Sequence, residues 1–187
     1  MFTTIRNAWK IKDLRDKILY TLFIVIIFRI GSAIPVPFLD PEAIKAFISG
    51  SGTSFFGYFD ALTGGGFSKA TLFALSITPY INASIIVNLL TIGIPALEKL
   101  SKSGEEGRKV IGQITRYATV VLALIVGFGY YRLLDNAGAV KNDSFFVAAV
   151  ILLTFTAGSA FIMWMSEKIN EKGIGNGISI ILFAGIV

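Results

Sequence analysis

Cysteine and histidine are absent from the 187 residues, and only 16% of the chain is charged. The first absence excludes disulfides, zinc sites, thiol nucleophiles, haem ligation through histidine and every Ser–His or Cys–His catalytic arrangement. The second argues against an ordinary soluble domain, in which roughly 25% of residues are charged. With 54% hydrophobic residues and a mean hydropathy of +0.72, the composition is that of an integral membrane protein. The formal charge of +5 does not gather into a basic stripe with stacking aromatics, so it points to membrane topology rather than nucleic acid. Nucleotide motifs are missing too. Gly104 to Lys109 has the wrong glycine spacing before its lysine, no preceding strand and no following Ser or Thr. Gly173, Gly175 and Gly177 lack the strand, spacing and later acid of a dinucleotide fingerprint. The sequence therefore predicts no enzyme, no cofactor, no metal and no direct nucleotide binding.

The run Leu72 to Leu97 is long enough to cross a bilayer, yet it holds Ser76, Thr78, Asn82, Ser84, Asn88 and Thr91, with Pro79 inside it. A lipid-facing anchor needs none of these. Polar groups and broken backbone persist at membrane depth only where protein or a water-filled path covers them. Ile77, Ile81, Ile85 and Asn88 recur at helical spacing as one stripe, flanked by Ser84. A β-branched pair one turn apart can line a narrow apolar constriction, and ordinary helix packing explains the same spacing. The pattern alone leaves both open.

Around this segment the chain reads as five spans. Residues 1–17 form a basic, amphipathic N-terminal segment, with Phe2, Ile5 and Trp9 near one side, suited to the anionic inner surface of a membrane or serving simply as a topogenic tail. The first span is 18–34, ended by Pro35 and Pro37, and it is too long for the core of a cleavable signal. Asp40-Pro41-Glu42 predicts a helix start in a long external excursion. Within that excursion Ser54 can cap a short aromatic helix stopped by Gly64-Gly65-Gly66. The second span is 72–97. Glu98 to Gly112 reads as a cytoplasmic turn with Gly104 and Gly107 as turn residues. Spans three and four are 114–134 and 145–165, joined by a turn at Asp135 to Gly138. Ala123 with Gly127, and Thr154 with Gly158, are small residues spaced for close helix approach.

Lys and Arg set the orientation. Arg6, Lys10, Lys12, Arg15, Lys17, Lys99, Lys102, Arg108, Lys109, Arg116, Lys168 and Lys172 share one side, against Lys45, Lys69, Arg132 and Lys141 on the other. The positive-inside rule puts the N-terminus in the cytoplasm. The glycines after Lys172 predict a tight turn into a fifth helix, on which Ile178 and Leu182 share one face and repeat the Ile77/Ile81 arrangement. From Ile174 onward that helix reaches only about 21 Å against a core of about 30 Å, so the fifth span is expected to be incomplete and the chain part of a longer protein.

Four ordered motifs carry a family resemblance: Phe28 to Pro37 (FRIGSAIPVP), Ile77 to Ile86 (ITPYINASII), Gly104 to Lys109 (GEEGRK) and Gly173 to Ile181 (GIGNGISII). Together they closely resemble the SecY family of protein-conducting channels. The resemblance implies an all-α polytopic membrane protein, the N-terminal five-span half of a ten-span inverted-repeat channel. It implies a pore ring at Ile77, Ile81, Ile178 and Leu182, with leucine at the last a mild departure. It implies an external plug over 54–66, including Phe55, Phe56, Tyr58, Phe59, Leu62, Gly64, Gly65 and Gly66. It also implies a lateral gate that contacts signal peptides along Pro79, Asn82, Ser84, Ile85 and Asn88. The partners implied are SecE as a clamp, SecG as a small accessory subunit, the SecA motor or the ribosome as driver, nascent chains and membrane lipid. The expected function is passage of unfolded secretory polypeptides across the cytoplasmic membrane with lateral release of apolar segments. A secondary transporter with an interrupted second helix is the rival, but it would want a charged or coordinating site near midplane, and the spans offer almost none. An intramembrane protease lacks its histidine or aspartate pair.

Overall fold

The computed structural model describes residues 11–50, 57–58, 60–61, 63–142 and 144–186. Seven helices are defined among them: α1 Lys12–Gly31, α2 Pro41–Gly50, α3 Thr78–Gly93, α4 Pro95–Lys102, α5 Glu105–Asn136, α6 Phe145–Lys172 and α7 Gly177–Ile186. By length and composition α5 and α6 can each cross a membrane, and α3 with α4 makes a third crossing if that bent pair is one span. Charged residues in the first turns of α1, together with Arg29 in its last, keep it outside that criterion.

The helix starts follow local chemistry. Pro41 opens α2 where its missing N–H is an orphan anyway, and the Asp40 carboxylate accepts the Glu42 N–H at 3.0 Å. Asn176 does the same for α7, its Oδ1 accepting from Ile178 N at 2.9 Å and Ser179 N at 3.4 Å. The expected turn between Asp135 and Gly138 is present, with Gly138 at φ +66° after the end of α5.

Four sequence expectations change. Lys12 to Lys17 belongs to α1 rather than to a separate surface segment, because no breaker divides it from the apolar run and Asp13 pairs with Lys17 one turn on at 3.0 Å. Residues 1–10 lie outside the described set. Leu72–Leu97 is not one helix. Leu72 to Ile77 is a chain of turns, α3 begins at Thr78 with Pro79 in its first turn, and at Ile94 the chain bends by 103° into α4. Pro79 therefore does not break a helix; its fixed φ helps start one. Glu98 to Gly112 is not a turn either, since only Ser103 and Gly104 separate α4 from α5. Gly107 is helical and buried, and a Cβ there would fall on the Leu100 carbonyl oxygen, so its need is close approach rather than turning. Finally α5 and α6 run on past 114 and 165 into charged residues. These helices of about 48 and 42 Å project beyond a hydrocarbon core of about 30 Å.

α6 is the hub, packing on α5, α1 and α7 and touching α3, while α3 packs chiefly on α5. Two apolar clusters fill the interior. One, at the end of the bundle where α5 stops and α6 starts, joins Ile44, Phe67, Leu75, Tyr130, Leu134, Ile151 and Phe155. The other joins Ile24, Phe28, Phe73, Ile77, Ile162, Met165, Ile169 and Ile181.

The non-helical chain from Thr63 to Ile77 threads between these helices, exposed at Gly64 and Lys69 but buried from Ala70 to Ile77 except for the half-buried Leu72. Its backbone groups must find partners. Val36 N donates to Ala70 O at 3.0 Å, Leu72 N to Ile34 O at 2.9 Å, Thr71 N to Gly66 O at 3.0 Å and Ser76 N to Phe73 O at 2.8 Å. Close packing supplies the rest of the fit: a Cβ on Gly158 of α6 would fall on the Leu72 carbonyl oxygen. The segment is also strained, with Ala70 at φ +43° and Ser76 at φ +51°. Ser76→Gly is therefore expected to stabilise the detergent-solubilised full-length protein by about 0.5–1 kcal/mol, relief of the left-handed penalty outweighing the entropy of glycine. A melting temperature that fails to rise would count against strain at this residue.

Candidate functional site

Ile77 and Ile81 sit at the start of α3, and Ile178 and Leu182 in the first turns of α7, about a hundred residues later. The fold brings all four to one apolar cluster. Ile77 is 1% exposed and belongs to the cluster itself, while Ile81, Ile178 and Leu182 are half-buried and pack against it. Ile77 thus takes the packing role within this half, and the other three keep an open side. Phe73 supports them from behind, stacking on Phe28 at 5.7 Å and on Phe161 at 6.1 Å between ring centres.

Next to this cluster lies the glycine-rich turn. Of the expected plug residues, Phe55, Phe56, Phe59 and Leu62 lie outside the described set, and Tyr58 is exposed. Gly64 and Gly65 have φ of +64° and +78°, and Gly66 is buried. The absent Cβ of Gly64 leaves room for the Gly185 carbonyl oxygen of α7, so the turn is seated directly on the helix bearing Ile178 and Leu182. Asp60 braces the turn: its carbonyl accepts from Gly65 N at 2.9 Å and its carboxylate from Ser68 N at 2.7 Å. Thr63 Oγ1 accepts from Phe67 N at 3.0 Å, and the buried Tyr130 hydroxyl donates to Phe67 O at 2.5 Å. Asp60 and Tyr130 were not singled out from the sequence. An acid a few residues before a glycine run is the signal that was available for Asp60, whereas nothing local marks Tyr130, whose partner is 63 residues away.

The expected gate residues divide. Pro79 is buried, with Ala83 and Val87, on the stripe of α3 that packs on α5. Asn82, Ile85 and Asn88 are exposed and Ser84 is half-buried. The exposed face also carries Ile86, Leu89 and Ile92, the last 78% exposed, so it mixes amides with large aliphatic groups. On the neighbouring helices Arg116 of α5 grips Glu167 of α6 with two contacts, Nε to Oε1 at 2.9 Å and Nη2 to Oε2 at 2.8 Å. Among the described residues no group of three or more Asp or Glu is placed to hold a metal ion.

These features set an apolar cluster shared by two helices beside a glycine turn of which Gly66 is buried, with a half-polar helix face at one side. The SecY family profile matches residues 71–187. The chain belongs to the SecY family. Curated relatives agree over its full length: the protein translocase subunit SecY of Bacillus subtilis is 44% identical over 194 residues, and that of Streptomyces scabiei 42% over 198. The protein of the same name from Aquifex aeolicus is 38% identical over 190 residues. The chain covers 44%, 45% and 44% of these relatives, so it spans under half their length. Solved structures share the fold. Sec61 in a canine ribosome–channel complex from the endoplasmic reticulum and a structure described as a protein conducting channel each superpose with a TM-score of 0.65 at 20% identity, covering 91% of this chain and 36% of theirs. A third, from work on the plug domain of SecY, does so at 0.65 and 21%. This is the fold of the family's channels, all-helical and built of apolar helices.

Proposed function

We propose that this chain is the N-terminal half of a protein-conducting channel of the bacterial cytoplasmic membrane, with its N-terminus in the cytoplasm. The observation that carries the reading is the meeting of Ile77, Ile81, Ile178 and Leu182 at one apolar cluster, from two helices about a hundred residues apart in sequence. A narrow aliphatic waist disfavours continuous water and hydrated ions, yet flexible apolar side chains yield around a polypeptide of any sequence without holding one side chain tightly. The glycine turn seated on Gly185 acts as the base of a plug that closes the same path. The exposed face of α3, with Asn82, Ile85 and Asn88, forms one wall of the lateral gate. A segment leaving sideways gains about 0.3–0.6 kcal/mol per Leu-like residue in lipid, whereas each Asp, Lys or Arg costs about 2.5–3.5. The naming of the relatives as translocase subunits supports secretory chains and signal peptides as substrates, and a ribosome–channel complex among the similar folds supports the ribosome as a partner. SecE, SecG and SecA complete the assembly by family resemblance, as clamp, accessory subunit and motor.

These 187 residues hold no cysteine, so each cysteine introduced into them reports on one position. Single cysteines at Ile81, Ile178 and Leu182 of the full-length channel should crosslink a stalled secretory chain, whereas cysteines at the exposed Ile125 of α5 and Leu153 of α6 should not. Translocation without capture at any of the three inner sites would reduce them to packing residues and remove the pore reading.

A further inference from the structure

The link between α6 and α7 leaves helical geometry at Gly173 and re-enters it at Gly177, so its backbone N–H groups need partners outside a helix. Two side chains supply partners for those of Ile174 and Gly177. Thr21 of α1 accepts the Ile174 N–H on its Oγ1 at 3.1 Å, while the same hydroxyl donates to Lys17 O at 2.9 Å. Asn170, in the last turn of α6, accepts the Gly177 N–H on its Oδ1 at 2.7 Å. The contacts are close on both flanks: a Cβ at Gly173 would stand 2.7 Å from Thr21 Oγ1, and one at Gly177 would fall on the Ser166 carbonyl oxygen. The link is therefore held at two points three residues apart, one on α1 and one on α6. Ile178 follows the second point immediately.

We infer that Thr21 and Asn170 are positioning residues that set the rotation and depth of α7, and through them the direction in which Ile178 and Leu182 point. This rests on the proposed pore role of those two residues, and it assigns a task to two polar side chains that face no substrate. A helix held only by apolar packing has near-equivalent rotational settings, because aliphatic contacts lack direction. Hydrogen bonds at its start select one of them. In that setting Ile181 is 1% exposed and faces the cluster, while Ile178 and Leu182 are half-buried at its edge. Thr21 is suited to the task because its one hydroxyl donates within α1 and accepts from the link, tying the two together; valine of nearly the same shape could do neither.

The test reads the setting of α7 apart from transport. In membranes containing the full-length protein, a maleimide probe is reacted with single cysteines at Ile178 and Ile181. Asn170→Ala, alone and with Thr21→Val, is expected to raise labelling at 181 by about tenfold relative to 178, the shift that loss of a hydrogen bond to a buried donor gives a two-state setting. Thr21→Ser and Asn170→Asp, which keep the acceptors, should label as the parent does. Equal labelling in the parent, Asn170→Ala and the double variant overturns the inference. So does a change that Thr21→Ser and Asn170→Asp share, since the hydrogen bonds would then not be what matters. Asn170 is exposed, so its alanine variant leaves the core untouched. If labelling moves as stated but the parent never captures a stalled chain at Ile178 or Leu182, the positioning role stands and the pore reading fails.

Discussion

Gly158→Val is expected to destabilise the full-length protein by about 3 kcal/mol, at the upper end of the usual range for overpacking, and to leave little correctly assembled protein in the membrane. The added Cβ would coincide with the Leu72 carbonyl oxygen. That is backbone, and it cannot swing aside: Leu72 N is bonded to Ile34 O and Val36 N to Ala70 O, which fasten the buried segment to the chain leaving α1. Most of the loss should already appear in Gly158→Ala, because the first added carbon makes the contact. Gly129, an exposed position of α5 with no atom within 4 Å of its ideal Cβ, is the control. Gly129→Ala should be neutral or gain up to about 1 kcal/mol from helix propensity. Thermal inactivation in detergent and membrane abundance measure all three. A tolerated Gly158→Val would mean that α6 and the Leu72 segment do not pack as described.

The second large effect is expected at Gly64→Val, and it is a functional one. Two penalties fall on the same residue. Its φ of +64° costs a β-branched side chain about 1–2 kcal/mol, and its Cβ would meet the Gly185 carbonyl oxygen, adding roughly 1–3. Together they should unseat the turn from α7 while leaving the helices assembled, since the turn is held mainly by its own hydrogen bonds to Asp60 and Thr63. The expected result is an ion leak through the resting full-length channel in planar bilayers. Gly65→Ala, at φ +78° but with no atom within 4 Å of its Cβ, should give a weaker leak from strain alone. Normal abundance with a sealed membrane would separate the turn from the closure. Loss of abundance with no leak would instead make Gly64 a folding position.

The site was legible where periodicity or a short motif carried it. Ile178 and Leu182 share a face by spacing alone, and the glycines after Lys172 announced a tight entry to a helix, which begins at Gly177 rather than at Ile174. The Leu72 to Ile77 stretch misled, because six apolar-rich residues before a proline read equally well as helix or as buried turns. Its structure is decided by Ile34, Val36 and Gly158, which are distant in sequence. Hydropathy likewise limited α5 and α6 to their apolar runs, although Glu105 to Gln113 belongs to α5 and Ser166 to Lys172 to α6, where Glu167 pairs with Arg116.

The sequence by itself determined the membrane setting, the absence of thiol and histidine chemistry, the family, and the faces on which the small aliphatic residues lie. These follow from composition and from the 3.6-residue helical period, which need no knowledge of partners. Only the tertiary structure decided that α3 begins at Thr78, that Ile77 is buried while Ile81, Ile178 and Leu182 keep an open side, that Gly64 rests on Gly185, and that Thr21 and Asn170 hold the link into α7. The seating of Gly64 on Gly185 and the Thr21 bond to Ile174 join groups more than a hundred residues apart, and the Asn170 bond to Gly177 crosses from one helix to the next. The reason is that a buried N–H or carbonyl takes whichever partner the packing brings, and no local pattern records that choice.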